Sequence, residues 1–358
     1  MSTAVLPRPS LRGTAWLSLR QERTTLLAAG GILLAFSTWV LLFGWRISAW
    51  IDSNGLRNCN DVYYPPECSD VSDLRRAIPE WWPPAVSGTG WVLFLLPFAL
   101  GLFAGAPLLA REFESGTHRL AWTQSVSRSR WLAGRLAAPF ALTLVGSAVL
   151  AGVASWWRTV VEGRFGVPGY YHWFGWMARS TEGPSTIAFC LVGLAVGVTA
   201  GLLVRRVVAA MAVTAVLTAG LRLAVDDLRD VFTPAVEVEA PVRLALMPQN
   251  ADIRDLVTGY GFPAESPLNS EILATGYRTS DGITIAGQGN WPPYALPDGS
   301  LLCQDSGCEP HVATVDRAFV LFHPPAHEWP MLWTQTGICL AVTALLLGLC
   351  FLRVRRMH

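Results

Sequence analysis

The chain has 358 residues, of which 52% are hydrophobic and only 15% charged, and its formal net charge is +1. A soluble protein of this length carries nearer a quarter charged residues, so the composition excludes an ordinary soluble enzyme and a solvated basic domain for nucleic acid. All 27 basic residues are Arg. Without Lys the chain cannot form a P-loop ATP site, so another chain must hydrolyse nucleotide for any driven work.

The apolar residues form six blocks of about 20 residues, the length that crosses ~30 Å of hydrocarbon as an α-helix. The blocks lie at about 25–45, 88–110, 131–156, 184–204, 207–225 and 332–352. They predict an all-α polytopic membrane protein with six transmembrane helices. The chain then divides into a leader at 1–24, five spans within 25–225, an extracellular domain at 226–330, and a sixth span with a basic tail at 331–358.

The leader places four Arg residues among apolar ones. Leu11, Ala15 and Leu19 recur at every fourth position, which favours an N-terminal interfacial helix over a disordered basic leader. A secretory signal is disfavoured, because the apolar run that follows is too long and lacks a clear cleavage site.

The distribution of charge predicts the orientation. Six spans place both termini on one side of the membrane. The leader, residues 111–135, the Arg205-Arg206 turn and the tail hold 14 Arg and three acidic residues, whereas the rest of the chain holds 13 Arg and 23 acidic residues. The positive-inside rule therefore places the first set, and both termini, in the cytoplasm of a cell whose plasma membrane the protein spans.

Four of the seven cysteines lie in segments that this orientation places outside the cell. They are Cys59, Cys68, Cys303 and Cys308. An oxidising compartment favours disulfides, and four cysteines allow three pairings, of which sequence proximity favours Cys59–Cys68 and Cys303–Cys308.

Glycine spacing predicts close helix contact. Pro97 lies inside the second span, and Gly101 and Gly105 follow at small-xxx-small spacing, which is typical of a kinked helix that touches a neighbour. Three glycines of the fourth span also share one helix face: Gly193, Gly197 and Gly201.

The extracellular segment is predicted to be a small mixed domain. Residues 226–258 continue the helical pattern of the fifth span, whereas Asp281-Gly282 and Asp298-Gly299 are turn signals beside β-prone residues.

Two motifs there and in the spans leave alternatives open. His323 and His327 have the i, i+4 spacing of zinc ligands, but two prolines between them prevent a regular helix, so we favour a shoulder leading into the last span and predict no metal site.

Arg222 lies about 15 residues from the Arg205-Arg206 turn, ~22 Å along the helix. It either snorkels to the headgroups or pairs with Asp226, or it acts as an outer gate on an exit path.

Residues 111–135 form a polar, Arg-rich island between two apolar runs. We predict a short amphipathic coupling helix at about 111–124, lying on the membrane surface with one face offered to another protein. Its charged side chains, Glu112 and Glu114 among them, are expected to face water. Catalysis by these two carboxylates is disfavoured, because their side chains diverge on a helix.

The run at 111–132, Arg-Glu-Phe-Glu-Ser-Gly-Thr-His-Arg-Leu-Ala-Trp-Thr-Gln-Ser-Val-Ser-Arg-Ser-Arg-Trp-Leu, resembles the cytoplasmic loop after the second span of type-2 ABC exporter permeases, particularly those of actinobacteria. Weaker likenesses lie at 204–214, at 222–229 and at 323–329. One departure is that the family often shows Gln and then Glu just past Trp329, where this chain has Leu332 and Gln335.

The resemblance implies a permease homodimer in the lipid bilayer, seated on a dimer of separate ABC ATPases that use ATP and Mg²⁺. This chain would carry no cofactor and no catalytic residue. Its cargo would be a lipophilic small molecule, such as a drug, natural product or lipid. Gly116 would end or bend the coupling helix. The ATPase contact would comprise Glu112, Glu114, Gly116, Thr117, Arg119 and Trp122.

Two other classes of function compete with this one. A receptor-like scaffold would use the large extracellular segment to sense a ligand. A membrane-embedded lipid-modifying enzyme would need polar clusters inside the bilayer, and the spans offer few polar residues beyond Arg222 and scattered Ser and Thr.

Overall fold

The structure is a computed structural model that describes residues 23–53, 82–116, 127–164, 183–241, 271–279, 284–288 and 315–357. Within these ranges six helices are long and apolar enough to cross a membrane. The predicted six-span helical fold is therefore confirmed. The predicted interfacial helix of the leader lies outside the described residues. The chain divides into a helical unit and a second compact unit at 172–175 and 230–331.

The helical unit contains long helices that exceed several of the predicted spans. The helices are α1 (Arg23–Ser53), α2 (Trp82–Ala99), a π-helical segment (Leu100–Gly105), α3 (Ala106–Glu114), α4 (Arg128–Arg164), α5 (Gly183–Val204), α6 (Val207–Phe232) and α7 (Glu328–Arg356). The second span consists of α2, the π-helical segment and α3, which follow one another without a break.

Helix α5 lies at the centre of the described bundle. Over Gly183–Val204, 72% of the residues are buried, against 22–39% in the other five spans. A helix that is apolar on every side and rich in Gly and Ala can pack neighbours all around it, because no face requires water and small residues admit close approach. Its neighbours include α2, the π-helical segment, α3 and α4.

The second span and α5 touch through their backbones. A Cβ added to Gly101 would lie 2.6 Å from the carbonyl oxygen of Gly193, and one added to Gly105 would lie 2.7 Å from that of Leu194. The three predicted α5 glycines meet backbone atoms of the second span in the same way: Gly193, Gly197 and Gly201. The predicted close contact is confirmed, and its partner is the fourth span.

Pro97 precedes the π-helical segment by three residues. Proline has no backbone N–H, so it cannot donate to the carbonyl of residue 93. The helix widens beyond it, and at the end of the wide turn Ala106 N–H donates to Gly101 O. Such π segments are one way in which a span accommodates a local break in its hydrogen bonding.

The second compact unit contains a four-stranded antiparallel sheet in the order β1-β4-β2-β3. The strands are β1 (Val236–Pro241), β2 (Glu271–Thr279), β3 (Thr284–Gln288) and β4 (Val315–His323). The expectation of helix through 226–258 is wrong at residues 233–241, and its remainder, 242–258, lies outside the described residues. Pro234 stops the helix, and the alternating Val-Glu-Val-Glu that follows pairs with β4.

The Asp281-Gly282 turn signal is supported by its flanking strands, since β2 and β3 are antiparallel neighbours. The second signal, Asp298-Gly299, lies outside the described residues, as do the four cysteines of the predicted disulfides.

Candidate functional site

Helix α3 ends where the polar island begins. The N–H and the hydroxyl of Ser115 both reach the carbonyl oxygen of Arg111, at 2.9 and 2.7 Å. Gly116 then adopts a positive φ of 74°, a conformation that favours glycine and commonly closes a helix. Gly116 therefore follows the end of the helix rather than bending it.

Residues 111–114 are consequently the last turn of the second span, not the first turn of a separate coupling helix as predicted. The remainder of the predicted coupling helix falls on residues 117–126, outside the described part of the chain. Thr117, Arg119 and Trp122 are among them.

Glu112 points into the bundle. It is only 9% exposed, and its carboxylate forms a hydrogen-bonded salt bridge with the guanidinium of Arg135 on α4. The expectation that Glu112 faces water is wrong. It follows Leu109 by three residues and so shares the helix face of a side chain that is fully buried.

Phe113 contacts the turn between α5 and α6. The guanidinium carbon of Arg205 lies 5.5 Å from the centroid of the Phe113 ring, a cation–π distance. Arg205 has a φ of 58°, the only positive value among the non-glycine residues that the structure describes. This strained conformation lets two residues join α5 to α6, and Arg205 lies against Phe113 at that point.

Glu114 reaches the start of α6. Its Oε2 accepts a hydrogen bond of 3.1 Å from the backbone N–H of Val207, the first residue of that helix. The first N–H groups of a helix lack partners within the helix and carry partial positive charge, so a carboxylate there is favourable.

Three consecutive side chains thus connect the end of α3 to three different parts of the bundle. We call this set the Glu-Phe-Glu corner: Glu112, Phe113 and Glu114 with Arg135, Arg205 and Val207. Phe113 also packs against a buried apolar cluster contributed by α3, α4, α5 and α7. That cluster consists of Leu109, Leu132, Leu136, Val198, Leu202, Cys350 and Val354. Displacing the corner therefore disturbs contacts to four other helices.

A second polar feature lies far along α6 from the corner. Arg222 is 5% exposed, and its guanidinium lies 3.9 Å from the ring centroid of Phe189 on α5 and 5.3 Å from that of Phe94 on α2. Its Nε is 3.9 Å from a carboxylate oxygen of Asp226. The predicted pairing with Asp226 is confirmed, whereas snorkelling is wrong, because α6 turns this face toward α5 and α2.

Three buried polar side chains lie on the helix faces next to this arginine. Thr218 is one turn before Arg222, Thr186 is one turn before Phe189 and Cys190, and Gln335 is one turn before Cys339, which packs with Phe189. Their side-chain oxygens have no hydrogen-bond partner among the described residues. Sequence reasoning missed both threonines and noted Gln335 only as a departure. The available signal was a polar side chain inside an apolar span.

The prolines between His323 and His327 form a 3₁₀ turn, Pro325–His327, rather than an α-helix. The two rings are nevertheless adjacent, with 3.2 Å between their Nδ1 atoms. The predicted absence of a regular helix between the two histidines is confirmed, and the turn leads directly into α7 at Glu328. Within the described ranges, no group of three or more His, Cys, Asp or Glu residues could hold a metal ion.

Comparison with known proteins identifies the class. The model of the ABC-2 membrane transporter related family matches residues 30–229, more than half of the chain and all of the Glu-Phe-Glu corner and Arg222. The chain belongs to that family. It is a multi-pass permease of the ABC-2 type, and its family implies partnership with an ABC ATPase. No curated protein and no solved structure matches the chain.

Proposed function

We propose that this chain is the permease subunit of an ABC exporter, which moves a lipophilic small molecule, drug, natural product or lipid with ATP hydrolysed by a separate subunit. Two copies of the chain would sit on a dimer of ATPases that bind ATP and Mg²⁺. The observation that carries the proposal is the Glu-Phe-Glu corner, because it links the segment after Gly116 to three other parts of the bundle.

We place the corner and both termini in the cytoplasm. The apolar cluster beneath the corner includes Val354 of α7, so the Arg-rich tail lies at the same end of the bundle as Glu112. The Arg205-Arg206 turn is also at this end. Three basic segments at one end of a bundle agree with the positive-inside rule.

The corner suggests how force enters the bundle. The ATPase would bind a segment that includes Glu114 and Gly116 and continues through Thr117, Arg119 and Trp122. Glu112 has a different role from the contact residue first expected, since its carboxylate is buried against Arg135. Its salt bridge would hold the end of the second span against α4, so that a movement of the ATPase-bound segment also moves α4.

Helix α6 offers a path from the corner to an outer gate. Glu114 holds its first residue, and Arg222 lies 15 residues further on, ~22 Å along the same helix. Tilting α6 would draw Arg222 away from Phe189 and Phe94. We call the contact of Arg222 with Phe189 and Phe94 the aromatic clasp. We therefore propose that the aromatic clasp closes the outer end of the export path and opens as α6 moves.

The test uses charge reversal at the corner. The full chain, tagged and extracted in mild detergent, should recover an ABC ATPase, and Glu114→Arg should reduce that recovery and the ATPase activity of the complex at least about tenfold. Asp227→Arg is the matched control, because it is an exposed charge reversal near the other end of α6. Undiminished ATPase recovery and activity with Glu114→Arg would refute the coupling role.

A second measurement tests orientation. Ser115 is exposed beside Gly116, so Ser115→Cys adds a thiol at the corner. A membrane-impermeant maleimide should label this thiol in inverted vesicles and leave it unlabelled in whole cells, with the unsubstituted chain as the background. Labelling of the new thiol in whole cells would place the corner outside and exclude contact with a cytoplasmic ATPase.

A further inference from the structure

The end of β4 and the turn after it bring two imidazole rings together. His323 is the last residue of β4 and has no exposed surface, whereas His327 is the last residue of the 3₁₀ turn and is half-buried. Their Nδ1 atoms are 3.2 Å apart and their ring centroids 5.5 Å apart. We propose that His323 and His327 chelate a transition-metal ion of the Zn²⁺ or Cu²⁺ type, immediately before the last membrane helix.

Backbone hydrogen bonds fix the two positions from which the rings extend. β4 is paired on both sides, with β1 through Phe322 and with β2 through His323 itself. The turn is closed by a 2.9 Å hydrogen bond from the N–H of His327 to the carbonyl of Pro324. Pro324 and Pro325 restrict φ in between. The backbone positions of the two histidines are thus fixed before any ion arrives, which lowers the entropy cost of binding.

The spacing suits one shared ion. Imidazole nitrogen binds Zn²⁺ at ~2.0–2.1 Å. Two nitrogens 3.2 Å apart, each at ~2.1 Å from one point, subtend an angle of roughly 100° there. That angle lies between the 90° of square-planar and the 109° of tetrahedral coordination, so both nitrogens can reach one ion without a change in the distance between them.

The ligand set defines the kind of site. Two imidazoles favour zinc, copper or nickel over calcium or magnesium, which prefer oxygen. Within the described part of the chain, no third His, Cys, Asp or Glu joins the pair. The pair thus supplies two of the four ligands that a structural zinc site has. A bound ion would link the last residue of β4 to the 3₁₀ turn that directly precedes α7.

The experiment uses the full chain in nanodiscs, purified with a tag that contains no His, after alkylation of free thiols. CuCl₂ and ZnCl₂ are titrated separately by calorimetry, and the Cu²⁺ spectrum is recorded by electron paramagnetic resonance. We expect one saturable ion per chain, and copper coupling to two nitrogens. His327→Gln removes one ligand at a half-buried position and should weaken binding at least about tenfold. His358→Gln, at the terminus, is the control and should leave affinity unchanged.

A hydrogen bond between two neutral rings is the competing account, and the same variants separate it. Gln retains a polar group at 327 but supplies no imidazole nitrogen. If the pair binds metal, Zn²⁺ raises the unfolding temperature of the unsubstituted chain and not that of His327→Gln. Absence of a saturable site below about 1 mM, or equal affinity in His327→Gln, would overturn the proposal.

Discussion

Replacing Arg135 with Ala should destabilise the protein more than neutralising its partner does. The Glu112 carboxylate is nearly buried, with 11% of its side chain exposed, whereas 41% of the Arg135 side chain is exposed. Breaking a fully buried pair costs ~3–5 kcal/mol, and an exposed pair contributes ~0–1 kcal/mol. This pair lies between those limits, so Arg135→Ala should cost about 2 kcal/mol, because it removes the guanidinium that faces a mostly buried carboxylate.

Neutralising the acid removes that charge. Glu112→Gln should cost about 1 kcal/mol, the typical loss when a charged hydrogen bond becomes a neutral one. The double variant has no buried charge and should also cost only about 1 kcal/mol, rather than the sum of about 3 kcal/mol, which gives a coupling of about 2 kcal/mol.

The assay is reversible unfolding in mixed micelles, followed by Trp fluorescence, for the unsubstituted chain, both single variants and the double variant. Arg130→Ala is the matched control, an exposed Arg on the same helix, and should change stability by less than about 0.5 kcal/mol. Additive costs in the double variant, or equal costs for Arg135→Ala and Arg130→Ala, would refute the claim that Glu112 is buried against Arg135.

Four further predictions each concern one residue or one set of cysteines. Gly197→Ala should destabilise by about 1–3 kcal/mol in the same assay, because its Cβ would overlap the backbone of the second span, whereas Gly220→Ala, with open space around it, should not. Gly116→Ala should cost about 1 kcal/mol, since its φ of 74° disfavours a side chain; an unchanged unfolding midpoint would contradict that conformation. Arg222→Met should keep the fold but raise substrate-independent leak across vesicles if the aromatic clasp is a gate; an unaltered leak and unaltered transport would exclude that role. Peptide mapping without reductant should recover Cys59 linked to Cys68 and Cys303 linked to Cys308, and cross-linked pairs between the two segments would exclude this pairing.

Several features of this protein follow from local sequence alone. The six spans are readable because a length of apolar helix that crosses hydrocarbon is a property of about 20 consecutive residues. The spacing of Gly101 and Gly105 predicts close contact of the second span with a neighbour, since a helix with small residues every four positions exposes its backbone, and the structure shows that the neighbour is the fourth span. The strand pair around Asp281-Gly282 was likewise a local turn pattern.

The strand β1 shows where local reading failed. The helical periodicity of the fifth span continues past Asp226 and predicts helix beyond Pro234. The structure has the strand β1 there instead. What makes Val236–Pro241 a strand is its pairing with β4, about 80 residues later in the chain. Pairing between distant segments does not appear in the periodicity of either one.

The sequence by itself determined that the chain has six apolar segments long enough to span a membrane, and that it contains no Lys with which to form a P-loop. Only the tertiary structure decided which way the polar side chains point. Glu112 and Arg135 are separated by 23 residues, and nothing near either one in sequence shows that they form a pair. Arg222 is buried because α6 packs that face against α5 and α2, and His323 meets His327 because a strand end fixes one ring and a 3₁₀ turn the other. The physical reason is that hydrophobicity and length are properties of one segment, whereas the burial of a charge depends on the neighbours that packing brings to it.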